Sequence, residues 1–158
     1  MSDPPDPGPR GPGPRGPGQR RADTLARLAG DIDVWVATAR GDIPHLIPLS
    51  FLWDGARLLL ATPDASVTAR NLRATGRARL TLGSTRDVVV IEGVAESLPL
   101  AAVSAATADA FAARTGFDPR HSPARMAFIW IAPRRIQAWR DESELPNREL
   151  MRDGQWLR

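Results

Sequence analysis

The stretch that decides the fold runs Arg77-Ala-Arg-Leu-Thr-Leu-Gly83-Ser-Thr-Arg-Asp87-Val-Val-Val-Ile91. Arg77, Arg79 and Thr81 alternate with Ala78, Leu80 and Leu82, the two-residue period of a strand with one face in water. Gly83–Asp87 makes a turn, and Val88–Ile91 returns apolar at every position. In an antiparallel protein such a run is covered on both sides, by barrel interior on one and by a helix or a partner subunit on the other.

Working outward, the neighbours extend the same pattern. Upstream, Val34–Ala39 is β-branched and aromatic, Arg40–Asp42 turns, and His45–Trp53 forms a second strand. Asp54-Gly55 is a two-residue hairpin signal that returns the chain as Arg57–Ala61. Ser66–Thr75 reads as a short helix with Leu72 inward and Gly76 as its stop. Ahead of the first strand, another short helix is capped by Asp23, carries Leu25 and Leu28 on one face and ends at Gly30. Downstream, Ser97-Leu98-Pro99 opens a longer helix whose stripe is Leu100, Val103, Ala110 and Phe111, with Gly116 as its cap. The loop Phe117–Pro123 then leads to Met126–Ala132 and Ile136–Trp139, two strands broken at Pro133. Six to seven short antiparallel strands with helical insertions describe a mainly β protein with helices, a small closed or partly open β-barrel. A barrel this small has little core of its own, and dimerisation through a barrel face is the natural supplement.

The 158 residues suit one domain. Residues 22–145 carry the barrel pattern, residues 1–21 form a Pro/Gly/Arg-rich tail expected to lack order, and residues 146–158 read as a C-terminal extension. The tail's glycines break the strict triplet that a collagen helix needs. Gly11, Gly13 and Gly16 formally satisfy G-x-G-x-x-G, but no strand precedes them, and Pro12 and Pro14 lack the amides a pyrophosphate requires. The sequence contains no cysteine, tyrosine or lysine, and all 21 basic residues are arginine against 18 acids. Disulfides, thiolate metal sites, a cysteine nucleophile and a lysine Schiff base are thereby excluded. The pI near 11.0 reflects missing titratable groups above neutrality, since the net charge is only +3. With no secretory signal and no apolar run of membrane length, a cytoplasmic protein that binds no membrane is expected.

Catalytic constellations are thin. His45 and His121 show no metal-ligand spacing, and no G-x-S-x-G elbow exists. Glu92 reads as an ion-pair partner for Arg86 or another arginine at the barrel rim. Thr62-Pro-Asp-Ala-Ser66-Val-Thr68-Ala-Arg70-Asn71-Leu72 is more specific, because it leaves a strand and starts a helix rich in hydroxyl, amide and guanidinium groups. A helix N-terminus with such side chains suits a phosphate, and plain N-capping by Ser66 with a solvated Arg70 suits the same residues equally. Nucleic acid is not an expected partner, because the five Trp and four Phe are scattered among apolar strands rather than interleaved with basic residues on one face.

In this order the chain resembles the pyridoxamine-phosphate-oxidase-like, flavin-binding split β-barrel proteins, and within them the actinobacterial branch that includes users of the deazaflavin coenzyme F420. The resemblance is carried by Val34–Thr38, Gly41–Phe51, Leu58–Thr62, Ser66–Leu72, Gly76-Arg77 and Asp87–Gly93, with Arg135–Trp139 as a weaker match. It implies a homodimer with a cofactor site at each subunit interface and a small organic molecule as substrate. The implied cofactor is F420, slightly favoured, or FMN. Its ring would lie along Pro48–Phe51, with Ser50 beside it and Trp139 near it across the interface. Thr62, Ser66, Thr68, Arg70 and Asn71 would meet the phosphate side. Members of the family commonly carry lysine where Thr68 stands, and the true oxidases carry an Arg-Lys pair at Val67-Thr68 and a cofactor arginine at Ile47. Arg70, Arg73 or Arg86 would have to replace the missing charge. The implied activity is hydride transfer by an F420- or FMN-dependent oxidoreductase other than a true pyridoxamine phosphate oxidase. A protein of the same barrel that holds a flavin or haem without turnover is the alternative.

Overall fold

The computed structural model describes residues 13–158. Six antiparallel strands form a ring: β1 (Asp33–Arg40), β2 (Ile43–Trp53), β3 (Leu58–Pro63), β4 (Arg77–Ser84), β5 (Asp87–Pro99) and β6 (Met126–Trp139). Their spatial order is β3-β2-β1-β4-β5-β6, and pairing of β3 with β6 closes the barrel. Two short strands, β7 (Glu149–Arg152) and β8 (Gln155–Trp156), extend the sheet beyond β6. Among the described residues three α-helices decorate the ring: α1 (Pro17–Gly30), α2 (Val67–Thr75) and α3 (Ala105–Thr115). Among the described residues no helix is long and apolar enough to cross a membrane.

Alternation of side chains builds the interior. Ala78, Leu80 and Leu82 of β4 are buried while Arg77 and Arg79 face water. Val89 and Ile91 of β5 enter the barrel, where they pack with Val36, Phe51, Leu60 and Ile131. A second apolar cluster lies outside the ring, where α3 covers the β3–β6 seam with Ala108 and Phe111 over Leu59, Ala61 and Phe128. Phe111 meets Phe128 edge to face at 5.3 Å. Such a pair adds about 0.5–1.5 kcal/mol beyond its buried area.

The structure departs from the sequence reading in four places. Helix α1 starts at Pro17, so the last five residues of the tail expected to lack order are helical, and residues 1–12 lie outside the described residues. Its N-cap is Gly16, not Asp23, and Pro17 supplies the preset φ of a first helical position. Next, β5 continues through Ser97 to Pro99 along β6, and the following helix is capped by Ser104, whose Oγ accepts from the Thr107 amide. The ladder to β6 outweighs the helix-start signal of Ser97-Leu98-Pro99. Third, β6 is not broken at Pro133. Gly93 pairs with Pro133 and Glu92 with Arg135, so a bulge absorbs the proline where the ladder is already interrupted.

Lastly, the loop after β2 has four residues, because Trp53 pairs with Leu58. Asp54 Oδ1 accepts from the Ala56 and Arg57 amides and sets that longer turn. The tight two-residue turn lies elsewhere. Asp153 and Gly154 have φ of 51° and 77° and join β7 to β8, as a turn with two positive φ values demands. The 146–158 extension therefore belongs to the fold, with Leu150 and Met151 in the core.

Candidate functional site

The start of α2 is the most chemically provisioned part of the barrel. β3 runs out at Thr62 and Pro63, and the chain turns directly into the helix. Ser66 caps it by accepting from the Ala69 amide at 3.0 Å, and Thr62 Oγ1 and Ser66 Oγ share a hydrogen bond of 3.1 Å. The Val67 and Thr68 amides have no hydrogen-bond partner among the described residues, and the first turn carries no acid. Free amides and the helix dipole make this end electropositive.

Around it, Asn71 Nδ2 donates to Thr38 Oγ1 of β1 at 3.1 Å, with both side chains buried. Arg70 is exposed, and its guanidinium donates to the Ala65 carbonyl at 2.7 Å. Thr68 is fully buried, and its hydroxyl has no hydrogen-bond partner. Arg73 is bound to Asp64, through Oδ1 at 2.9 Å and the carbonyl at 2.7 Å.

Thr62, Ser66, Thr68, Arg70 and Asn71 are thus brought together. Pro48 and Ser50 lie away from them on the outer face of β2, where Pro48 pairs with Trp35 and Ser50 Oγ donates to Asp33 Oδ1 at 2.6 Å. Ser50 is five residues along β2 from His45, the neighbour of Thr38, or about 17 Å. Arg86 sits in the β4–β5 turn, and Trp139 pairs with Val88 close by, with the Arg148 guanidinium 6.0 Å from its ring. β4 separates this turn from the Arg77 end beside α2 by about 24 Å. Of the three arginines expected to replace the family lysine, Arg73 is occupied by Asp64 and Arg86 is at the far end of the same chain. Arg70 remains.

The outer face of β1 and β2 is apolar. Trp35 is 49% exposed and Leu46 59%, and they pair across the two strands with Pro48 and Ala37. Glu92 finds Arg79 at 2.7 Å and Arg135 at 3.7 Å rather than Arg86. His121 is exposed beside Asp118, and no group of metal-ligating side chains exists among the described residues.

At the opposite corner lies a charge cluster that the sequence did not announce. Glu144 is buried and accepts from the Arg15 amide (2.8 Å), from Arg15 Nε and Nη2 (3.1 and 2.9 Å) and from the Arg140 amide (2.8 Å). Hydrogen bonding from Arg15 holds its pKa down at about 2 against the opposing effect of burial. Burial is the largest influence on Asp87 and pushes its pKa up, but Arg27, Arg140 and Arg15 together outweigh it and the net shift is downward. Arg20, 2% exposed, donates to the Ala138 and Glu144 carbonyls, and its Nε has no partner. Arg15 and Glu144 are too far apart in the chain for any spacing rule to pair them.

The donor set at α2 is two unpartnered amides, of exposed Val67 and buried Thr68, paired hydroxyls and one exposed guanidinium, with Asp64 neutralised by Arg73. That chemistry fits a phosphate ester. The sequence matches the pyridoxamine 5′-phosphate oxidase family over residues 25–140. Among solved structures, similar folds include a Listeria innocua protein provisionally described as a pyridoxamine 5′-phosphate oxidase (20% identity, TM-score 0.62, covering 76% of this chain and 98% of the other). An F420 reductase aligns at 19% identity and TM-score 0.59, over 70% and 93% of the two chains. An FAD-binding protein from Mesorhizobium loti aligns at 19% and 0.61, over 74% and 91%. No curated protein matches the sequence.

Proposed function

The chain belongs to the pyridoxamine 5′-phosphate oxidase family, and from that premise we propose that it is a homodimeric oxidoreductase that binds F420 or FMN between two copies and serves hydride transfer with a small organic substrate. The observation that carries this reading is the N-terminus of α2, where the unpartnered amides of Val67 and Thr68 and the Thr62–Ser66 hydroxyl pair meet at a helix end with no acid in its first turn. The Val67 and Thr68 amides, Ser66 and Arg70 hold the phosphate, with Arg70 released from the Ala65 carbonyl. Asn71 positions Thr38 and fixes α2 against β1. The apolar outer face of β1–β2 receives both the ring and the second copy, which supplies Trp139 and Arg86 from its own far end. Bound F420 or FMN supplies the hydride chemistry, and the protein supplies orientation and exclusion of water.

A true pyridoxamine phosphate oxidase is disfavoured by Val67-Thr68 and Ile47, where that enzyme carries cations. A second reading, a holder of flavin or haem without turnover, draws support from the β2 face itself. The carboxylate nearest to Ser50 is Asp33, and it is already held by the Ser50 hydroxyl.

The test is saturation binding of FMN, F420 and haem to the purified protein, with the melting shift recorded for each. Micromolar binding of FMN or F420 raises the melting temperature by mass action. Failure of both to bind removes the oxidoreductase reading, and binding of haem alone selects the second. Trp35→Glu should convert a dimer to a monomer in light scattering and abolish that binding, and a monomeric wild-type protein overturns the interface assignment.

A further inference from the structure

One strand over from the β1–β2 patch, a cavity of about 610 Å³ opens on the outer face of the barrel across β1, β4 and β5. Its floor is backbone and small side chains, Ala37, Ala39, Ala78 and Gly93, and its rim carries Arg77, Arg79, Arg134 and Glu92. Cavities of this size hold a drug-sized ligand. Two features show how the fold builds it.

The first is the bulge between β5 and β6. Glu92 pairs with Arg135 and Gly93 with Pro133, so Arg134 is the extra residue. Strict alternation would bury one of two successive side chains, yet Arg134 and Arg135 are both exposed. Bulges re-aim side chains in this way. Gly93 is required here, since a Cβ on it would lie 2.5 Å from Ile131 Cγ2.

The second feature is the charge balance. Three guanidiniums, of Arg77, Arg79 and Arg134, line the cavity with one carboxylate, Glu92. Arg79 donates to that carboxylate at 2.7 Å, while Arg135, 3.7 Å from it, is held at 2.7 Å by Glu149. Arg15, Arg27, Arg57, Arg73, Arg120, Arg140 and Arg152 elsewhere all hold acids. Among the described residues, Arg21, Arg40, Arg77, Arg86, Arg134 and Arg158 have neither an acid nor a hydrogen bond to the guanidinium, and of these Arg77 and Arg134 line the cavity. They flank β5 at Val94 and Gly93, one strand to either side, with backbones about 10 Å apart. Arginine side chains span that gap and can close on a single anionic group.

We infer that this trough binds a flat organic anion, an aromatic or conjugated carboxylate or phosphate ester. Its body lies on the alanine and glycine floor and its charge sits between Arg77 and Arg134. Charge-assisted pairing to guanidinium supplies the specificity, and the flat floor supplies the apolar contact. None of the α2 phosphate-side residues lines the cavity, but it shares Ala37 with the β1–β2 face and Thr38 with the Asn71 contact, so the inference rests on the β4–β5 side staying open when two copies meet.

The test is calorimetry on the full-length protein without cofactor, using 2-naphthoate, neutral 2-naphthol and inorganic phosphate as probes. One 2-naphthoate should bind per chain with a Kd below about 1 mM. Arg77→Gln and Arg134→Gln, both at exposed positions, should each weaken it at least tenfold without moving the melting temperature. Ala37→Trp should abolish it by filling the floor, while Arg70→Gln should leave it unchanged. The inference is overturned if naphthoate fails to bind, if naphthol binds as well as naphthoate, or if Arg77→Gln and Arg134→Gln bind like wild type. Loss of naphthoate binding in Arg70→Gln also overturns it, by locating the probe at α2.

Discussion

The Glu144 corner and the start of α2 use the same polar vocabulary to opposite ends. At the corner, Arg15, Arg27 and Arg140 converge on Glu144 and Asp87, and the donors and acceptors largely consume one another. At α2 the side chains are hydroxyls and an amide, and the Val67 and Thr68 amides are left over. A guanidinium sunk among carboxylates is a strut with no capacity for a ligand. A helix end with spare donors and no acid in its first turn keeps that capacity. The difference is one of bookkeeping between donors and acceptors, and residue type alone does not reveal it.

The contrast can be broken most sharply at Glu144. Glu144→Ala strips the partner from Arg15 and leaves buried cationic groups facing a void, at a cost of about 3–5 kcal/mol. For a chain of this length that lowers the melting temperature by about 6–20 °C. A fall of under 2 °C in a thermal melt at pH 7 would mean the corner is ornamental. Acid titration probes the same strut. The Glu144 pKa lies at about 2 instead of 4.5, so its contribution is fully present above pH 4.5. It is lost as the pH falls toward 2. The urea midpoint should decline through that window in the wild type and more shallowly in Glu144→Gln.

At α2 the expected effects are smaller in stability and larger in binding. Arg70→Gln should weaken FMN or F420 by about tenfold or more, the worth of a charge-assisted hydrogen bond, while the melting temperature of the cofactor-free protein moves little. Equal binding would remove Arg70 from the site. Thr68→Val deletes a buried hydroxyl that has no partner while keeping the shape. It should stabilise by about 1 kcal/mol and raise the melting temperature by about 2–4 °C. A melting temperature lowered by that amount would show that the hydroxyl is satisfied after all.

Much of this architecture was legible in sequence because it rests on period and local chemistry. The alternation of Arg77–Leu82, the apolar run Val88–Ile91 and the Ser66 cap each depend on neighbours a few residues away. What escaped depends on partners distant in the chain. Ser97-Leu98-Pro99 carries a good helix start, yet the β6 ladder claims it. The helical state of residues 17–21 follows from docking of α1, with Arg15 and Arg20 reaching residues 138–144. Asp153-Gly154 was readable by the same hairpin rule applied to Asp54-Gly55, and the two differ because Asp54 folds its carboxylate onto two loop amides. At the candidate site, the cluster of Thr62, Ser66, Arg70 and Asn71 was local and therefore visible. Thr38, the partner of Asn71, was not, and neither was the occupation of Arg73 by Asp64.

The seam between β3 and β6 has a consequence in time. Its six residue pairs join segments more than sixty positions apart, and no hairpin brings them together. The β1–β4 pairing also lacks a hairpin and joins residues more than forty positions apart, and the seam, with the longer separation, carries the larger loop-closure entropy of the two. Refolding should therefore run on the millisecond-to-second scale of non-local β topologies, with α3 docking after the seam has met. Because Phe111 then acts as a latch on a ring already closed, Phe111→Leu should hasten unfolding while leaving the refolding rate nearly unchanged in stopped-flow measurements.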